Sequence, residues 1–264
     1  MRHHTTRRIA AAAALAVPLV IAAGTAPAAA HGVDGPVTVR LDPLKGSNAS
    51  GTATLTPTDD GNLKISVHNT GMVPGMPHAQ HLHGDTSGKH FTCPGDGADK
   101  DGDGFISVEE GLPMYGNIHV SLTTKGDTSM DSALAVDRMP VADADGNLDY
   151  ERTIKGSQLP DGTLENLTHL HIVQHGIDAN DNAKYDLDGL GESTFAKSAG
   201  AKGIPEEATD GATCGMIIPA GGVQTGGTTT AGIDSPYAIA AGVAGLAAAG
   251  GLLMIRRRTD HSAR

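Results

Sequence analysis

Between residues 31 and 220 the chain consists mostly of short segments in which apolar and polar residues alternate. In residues 63–68 the apolar side chains fall on one face of a strand and the polar ones on the other. Residues 59–62 and 145–147 have the composition of hairpin turns, and no convincing amphipathic helix appears. The pattern predicts an all-β fold, an antiparallel β-sandwich or Greek-key barrel. The predicted strands are 37–41, 52–56, 63–68, 118–122, 134–136, 148–154, 168–175 and 216–218.

Residues 1–30 have the layout of a cleavable signal peptide. Arg2, Arg7 and Arg8 form a basic start, residues 9–23 are apolar, and residues 28–30 are three small alanines. This order is typical of secretion rather than of a membrane span. The two adjacent arginines fit both the twin-arginine route and the general export route. Export predicts that the mature chain begins at His31.

The other end of the chain has the features of a membrane anchor. Residues 236–255 carry no charge, and as a helix 20 residues long they would span about 30 Å, which matches a bilayer core. Residues 256–258 are all arginine and predict a short basic cytoplasmic tail, 256–264, with the body of the protein outside the membrane. The predicted organisation is therefore a signal peptide (1–30), one domain (31–220), a flexible linker (221–235), a transmembrane helix (236–255) and the tail.

The linker contains a Thr225–Gly226 pair ahead of the hydrophobic segment and the arginines. This arrangement resembles the sortase sorting signal of Gram-positive bacteria, which implies cleavage after Thr225 and attachment to peptidoglycan. The alternative is a flexible linker ahead of a permanent membrane anchor. Both predict a protein on the extracellular face of the cell envelope.

The charge of the exported part excludes one class of partner. Of 19 basic and 30 acidic residues, seven basic and one acidic residue lie in the two ends. The remainder has 12 basic and 29 acidic residues, a net charge of about −17. Such a surface repels nucleic acid and anionic lipid and favours cations.

Cys93 and Cys214 are the two cysteines of the chain. In an oxidising compartment an isolated pair most often forms one disulfide. This one would close a loop of more than a hundred residues, which in the loop-entropy model stabilises the fold by roughly 4–5 kcal/mol at most.

Residues 99–110 match the twelve-residue calcium loop of EF-hands at every ligand position. Gly104 stands at the sharp turn and Ile106 at the apolar position that pins the loop. Because long flanking helices are not expected, the motif predicts a structural calcium site; the alternative is a solvated acidic turn. A second acidic segment, 178–186, lacks the turn glycine and is better explained as an Asx-rich turn. The predicted calcium ligands are Asp99, Asp101, Asp103, Phe105, Ser107 and Glu110.

The histidines form a third group of residues, and they could act as metal ligands. His81 and His83 project from one face of a strand, with Leu82 on the other face, and His175 ends a second strand. If the two strands are neighbours, their imidazoles would lie within reach of one ion, and imidazole suits copper and zinc. The alternative is a set of exposed polar histidines on the wet side of a sheet.

Two family resemblances follow from these residues. Residues 47–55 and the segment 78–84, which ends in His-Leu-His-Gly, resemble the CHRD domain, a secreted β-domain with no agreed catalytic activity. His81-Leu82-His83, Val173-Gln174-His175 and Cys214-Gly215-Met216-Ile217 resemble copper–zinc superoxide dismutases. The second resemblance implies copper at His81, His83 and His175, with His90 or His119 as the fourth ligand.

The sequence therefore predicts an envelope-anchored extracellular β-domain that binds calcium and copper or zinc. The alternatives are a copper-dependent, superoxide dismutase-like enzyme and a structural or adhesive wall protein. In the dismutase family an arginine a few residues before the second cysteine steers superoxide, whereas residues 206–213 here contain no arginine. The domain is also acidic, so an anionic substrate would be repelled. This favours a binding function over enzymatic turnover.

Overall fold

The computed structural model describes residue 33 and residues 35–218. The predicted signal peptide, linker with its sorting motif, transmembrane helix and basic tail fall outside this part and stay predictions. Within the described part, no helix is long and apolar enough to cross a bilayer.

The described chain is mostly β, and the predicted all-β antiparallel class is confirmed. All strands belong to one curled sheet with the order β5-β4-β7-β8-β1-β2-β3-β6, and every neighbouring pair is antiparallel. The strands are β1 Val37–Pro43, β2 Ser50–Pro57, β3 Leu63–Thr70, β4 Gln80–Gly84, β5 Ile118–Ser121, β6 Leu148–Ile154, β7 Leu170–His175 and β8 Gly211–Met216. Two α-helices, α1 Val108–Tyr115 and α2 Thr194–Ser198, lie in the connections. Short 3₁₀ helices occupy Asp96–Ala98, Met130–Ser132, Val136–Arg138, Gly156–Gln158, Leu167–His169 and Glu206–Ala208.

The alternation seen in the sequence places the core on one face of the sheet. Along β3, Leu63, Ile65 and Val67 are buried while the residues between them are more exposed. β1 shows the same period of two. The buried aliphatic side chains of all the strands join in one large cluster on the concave side, where removal from water stabilises the fold.

Side chains bring the two edges of the sheet together. β6 forms one edge, and the Tyr150 hydroxyl donates to the Thr123 carbonyl oxygen at 3.2 Å, two residues beyond the opposite edge strand β5. The Arg152 guanidinium donates to the same oxygen at 2.7 Å. The sheet is therefore a half-barrel rather than two separate layers.

Three local predictions were wrong. Residues 134–136 are not a strand: Val136 begins a 3₁₀ helix and is exposed, because three alternating residues carry too little periodicity to identify a strand. The last strand is Gly211–Met216 rather than 216–218, since its glycine and alanine positions hide the alternation. Helix α1 was not expected at all. Its start is fixed by Ser107 and Glu110, which form a capping box.

The predicted disulfide is present. Cys93 lies in the long connection after β4, and Cys214 lies on β8 opposite Val173 of β7. Their Cα atoms are 5.7 Å apart, within the usual range for a disulfide. The bond ties the connection that contains residues 99–110 to the centre of the sheet. It fits an extracellular protein, because disulfides persist in oxidising compartments.

Candidate metal centre

Strands β4 and β7 are neighbours and carry the central histidines. Leu82 points into the core, so that His81 and His83 lie on the opposite face of β4, as the alternation predicts. β7 runs antiparallel beside it and ends at His175, whose ring lies beside those of His81 and His83. This neighbouring position, which the sequence could not establish, makes a shared site feasible.

The three imidazoles form one compact group. The ring centroids of His81 and His83 are 5.4 Å apart, those of His81 and His175 5.3 Å, and those of His83 and His175 5.9 Å. One ring nitrogen of each residue lies within 4.8 Å of those of the other two. All three side chains are buried, so the alternative of exposed polar histidines is excluded.

Backbone carbonyls fix the orientation of each ring. The Nε2 atom of His81 donates to the Ala133 carbonyl at 3.2 Å. The Nδ1 atom of His83 donates to the Gly116 carbonyl at 2.8 Å, and Nδ1 of His175 donates to the Thr209 carbonyl at 2.6 Å. A ligand histidine usually holds its second nitrogen in this way, which sets the tautomer and aims the other nitrogen at the ion.

The remaining nitrogens have no such support. Nδ1 of His81, Nε2 of His83 and Nε2 of His175 are buried without a hydrogen-bond partner among the described residues. Three unsatisfied polar atoms in one place are costly, since a buried donor or acceptor without a partner costs about 1–3 kcal/mol. An ion held by these nitrogens would satisfy all three.

Burial keeps the imidazoles neutral. It lowers the pKa of His83 to about 3 and that of His175 to about 4, and the pKa of His81 lies well below its usual value. The charges of neighbouring histidines lower the pKa of His81 and His83 further. Metal ligands must be unprotonated, so the group is ready to bind at neutral pH.

Helix α1 supplies one wall of the site. Its last residue, Tyr115, is buried, and its ring centroid lies 4.5 Å from that of His83. The next residue, Gly116, provides the carbonyl that orients His83. Sequence reasoning missed this helix and hence both residues. The capping pair Ser107 and Glu110 was the signal that could have revealed them.

The structure does not bring the two proposed fourth ligands into this group. The Nε2 atom of His119 lies 2.8 Å from the Thr163 hydroxyl. The ring of His90 packs against that of His169, with centroids 5.5 Å apart. Among the described residues, the group of three is His81, His83 and His175.

Residues 99–110 form a tight acidic loop that leads into helix α1. Asp99, Asp101 and Asp103 place carboxylate oxygens within 4.8 Å of one another. The Gly104 N–H donates to the Asp99 carboxylate at 3.1 Å, and Gly104 has a positive φ of 98°, as the turn requires.

The other predicted calcium ligands have partners within or beside this loop. The Glu110 carboxylate accepts from the Ser107 N–H at 3.1 Å, and the Phe105 N–H donates to the Asp103 carboxylate at 2.9 Å. The Lys45 ammonium group contacts Asp99. The second acidic segment is an Asx-rich turn around Asp178, whose carboxylate accepts from the Asn182 N–H at 3.0 Å.

No protein-family model matches the chain, so the CHRD resemblance has no support of that kind, and no curated protein matches. Solved structures of superoxide dismutase 5 from Candida albicans do match. One mutant has 14% identity and a TM-score of 0.36 over 74% of this chain and 100% of its own. The Cu(II) form has 14% identity and a TM-score of 0.36 over 73% and 97%. The likeness to these structures is one of fold, at low identity.

Proposed function

We propose that the chain is an extracellular β-domain that binds one copper or zinc ion through His81, His83 and His175. The observation that carries the proposal is the set of three buried ring nitrogens without partners, on rings whose other nitrogens donate to backbone carbonyls. Neutral imidazole is a good ligand for both metals. The bound ion would supply a Lewis-acid centre or, in the case of copper, a redox centre.

The first prediction concerns metal content. The purified protein should hold about one copper or zinc ion per chain, measured by elemental analysis. Combined His81→Ala and His83→Ala substitutions should abolish this content, because one imidazole cannot hold the ion alone. His68→Ala is the matched control, since His68 is exposed on β3 and its ring contacts Asp149 at 2.6 Å.

Single substitutions test whether His119 or His90 is a further metal ligand. His119→Ala and His90→Ala should leave the metal content unchanged, in keeping with their positions outside the group. A double variant that retains the full metal content would contradict the proposal. Copper-loaded protein that clears superoxide faster than the double variant would support the dismutase alternative instead. A chain without any transition metal would favour a structural or adhesive role.

The calcium site stays a prediction of the sequence. Calcium added to chelator-treated protein should raise the melting temperature by about 5–10 °C at a hundredfold excess over the dissociation constant, because the ion binds only the folded loop. Asp99→Ala combined with Glu110→Ala should remove this rise. Asp178→Ala, in the other acidic turn, should preserve it. A full response in the double variant would show that calcium binds elsewhere.

The disulfide also bears on the location of the protein. The disulfide fits an oxidising compartment, and we propose that the exported domain is held at the outer face of the envelope. Attachment to peptidoglycan by sortase and a permanent membrane anchor stay alternative predictions. Thr225, Gly226 and residues 236–255 lie outside the described part of the chain.

A further inference from the structure

A cavity of about 490 Å³ borders the three histidines. Its other walls come from α1, β5, α2 and the loops that follow β5 and α2. They are mainly apolar and include Val108, Leu112, Ile118, Leu134, Phe195 and Ala199. Met130 also lines the cavity and is 59% exposed, so the space reaches the surface of the described structure. The volume is that of a pocket for an organic molecule and far exceeds what a diatomic ligand would fill.

The charges around the cavity exclude one ligand class. None of the described residues that line it is a lysine or arginine, and Asp131 contributes a carboxylate. The three arginines of residues 35–218 are engaged elsewhere. Arg40 pairs with Asp42, while Arg138 and Arg152 donate to backbone carbonyls. The exported part of the chain is also strongly acidic. An anion would therefore be repelled at long range and would find no cationic side chain in the cavity, so that the metal ion alone would attract it.

We infer that the cavity binds a small uncharged organic molecule whose apolar part packs on Leu112, Leu134 and Phe195 while one nitrogen or oxygen atom binds the metal. The inference rests on the proposed metal centre for the donor contact. The apolar walls account for the rest of the ligand, because binding of its hydrocarbon part removes apolar surface from water on both sides. The site would thus select against small anions and in favour of ligands such as substituted azoles, which bind a metal through a neutral nitrogen.

The test uses the full-length protein loaded with Cu(II) and three probes followed by visible absorption and electron paramagnetic resonance. These are imidazole, 4-phenylimidazole and azide. We expect 4-phenylimidazole to bind at least about tenfold more tightly than imidazole, since its ring occupies the apolar cavity. Phe195→Ala should reduce that advantage by about tenfold and leave imidazole binding unchanged. Azide tighter than 4-phenylimidazole, or no advantage from the phenyl group, would overturn the inference.

A charge introduced into the wall sharpens the result. Leu134→Lys should strengthen azide binding and weaken 4-phenylimidazole binding, because the ammonium group attracts the anion and disrupts the apolar wall. Leu187→Lys is the matched control, because Leu187 is 52% exposed and does not line the cavity. This substitution changes the net charge by the same amount as Leu134→Lys. Equal effects of the two variants would overturn the inference, since they would reflect net charge alone.

A metal-free measurement separates the two proposals. Toluene added to the metal-free protein should shift the methyl resonances of Ile118 and Leu134 and leave those of Leu187 unchanged. If these shifts occur in a protein that binds no copper, the metal centre fails and the apolar ligand class stands. If copper binds but toluene and the phenyl group have no effect, the inference fails alone. Methyl shifts that depend on protein concentration without any probe would assign the cavity to a second copy of the chain and overturn it.

Discussion

Replacing Cys93 and Cys214 by serine is expected to lower the free energy of unfolding by about 4 kcal/mol. The disulfide joins residues 121 positions apart, and in the loop-entropy model a loop of this length restricts the unfolded chain by at most about 5 kcal/mol. Since domains are stable by only about 5–15 kcal/mol, this is a large part of the total. Urea unfolding of the oxidised protein and of the double variant measures the difference.

If the disulfide acts by restricting the unfolded chain, the same experiment should show a second effect. Removal of the disulfide lets the unfolded chain expand, so the dependence of the unfolding free energy on urea should become steeper. Reduced wild-type protein is the control and should behave like the double variant. Reduced and oxidised protein of equal stability would contradict the prediction and would show that the loop is already restricted in the unfolded chain.

The metal-free protein is expected to lose about 3 kcal/mol of stability between pH 7 and pH 5.5. Burial holds the pKa of His83 near 3 and that of His175 near 4, and it also lowers the pKa of His81 strongly. In the unfolded chain histidine titrates near about 6.5. Below that pH the unfolded state therefore binds more protons than the folded state, and stability falls as pH falls. Burial also lowers the pKa of His171 to about 4, and the four histidines together contribute a loss of roughly 5 kcal/mol over this interval.

One buried carboxyl group opposes this loss of stability on acidification. Burial, together with the neighbouring Glu206 charge, raises the pKa of Asp210 to about 9. The folded state therefore keeps a proton on Asp210 that the unfolded chain releases near pH 4, and this favours folding at lower pH by roughly 2 kcal/mol over the same interval. The net loss of about 3 kcal/mol is the difference between the loss from the histidines and the gain from Asp210.

Urea unfolding at several pH values tests both contributions. Asp210→Asn should steepen the loss of stability on acidification, since it removes the compensating carboxyl group and keeps the shape of the side chain. Bound metal should reduce the loss near neutral pH, because it holds the imidazoles in their neutral form. Stability that stays constant down to pH 5 in both proteins would mean that the histidines become charged within the fold.

Much of the local architecture follows from the sequence. The alternation in β3 predicted its start and its buried face, since the period of a strand places Leu63, Ile65 and Val67 together whatever lies opposite them. The same rule placed His81 and His83 on one face of β4. The disulfide followed from the count of cysteines in an exported chain, because no other pairing within the chain exists. The acidic loop was identified because its ligand spacing is local.

The parts that the sequence could not determine depend on contacts between distant segments. Strand order made β4 and β7 neighbours, and this brought the ring of His175 beside those of His81 and His83. His90 and His119 were the two candidates for the fourth ligand, yet both lie outside the group. Their neighbours in space are not their neighbours in the chain.

The sequence by itself determined the position of most strands, the buried face of alternating strands such as β1 and β3, and which two cysteines are joined. Each of these follows from residue type and short-range periodicity. Only the tertiary structure decided which histidines meet, which carbonyls orient them and what surrounds the resulting site. The Ala133, Gly116 and Thr209 carbonyls and the apolar cavity come from segments far apart in the chain, and only packing brings them together.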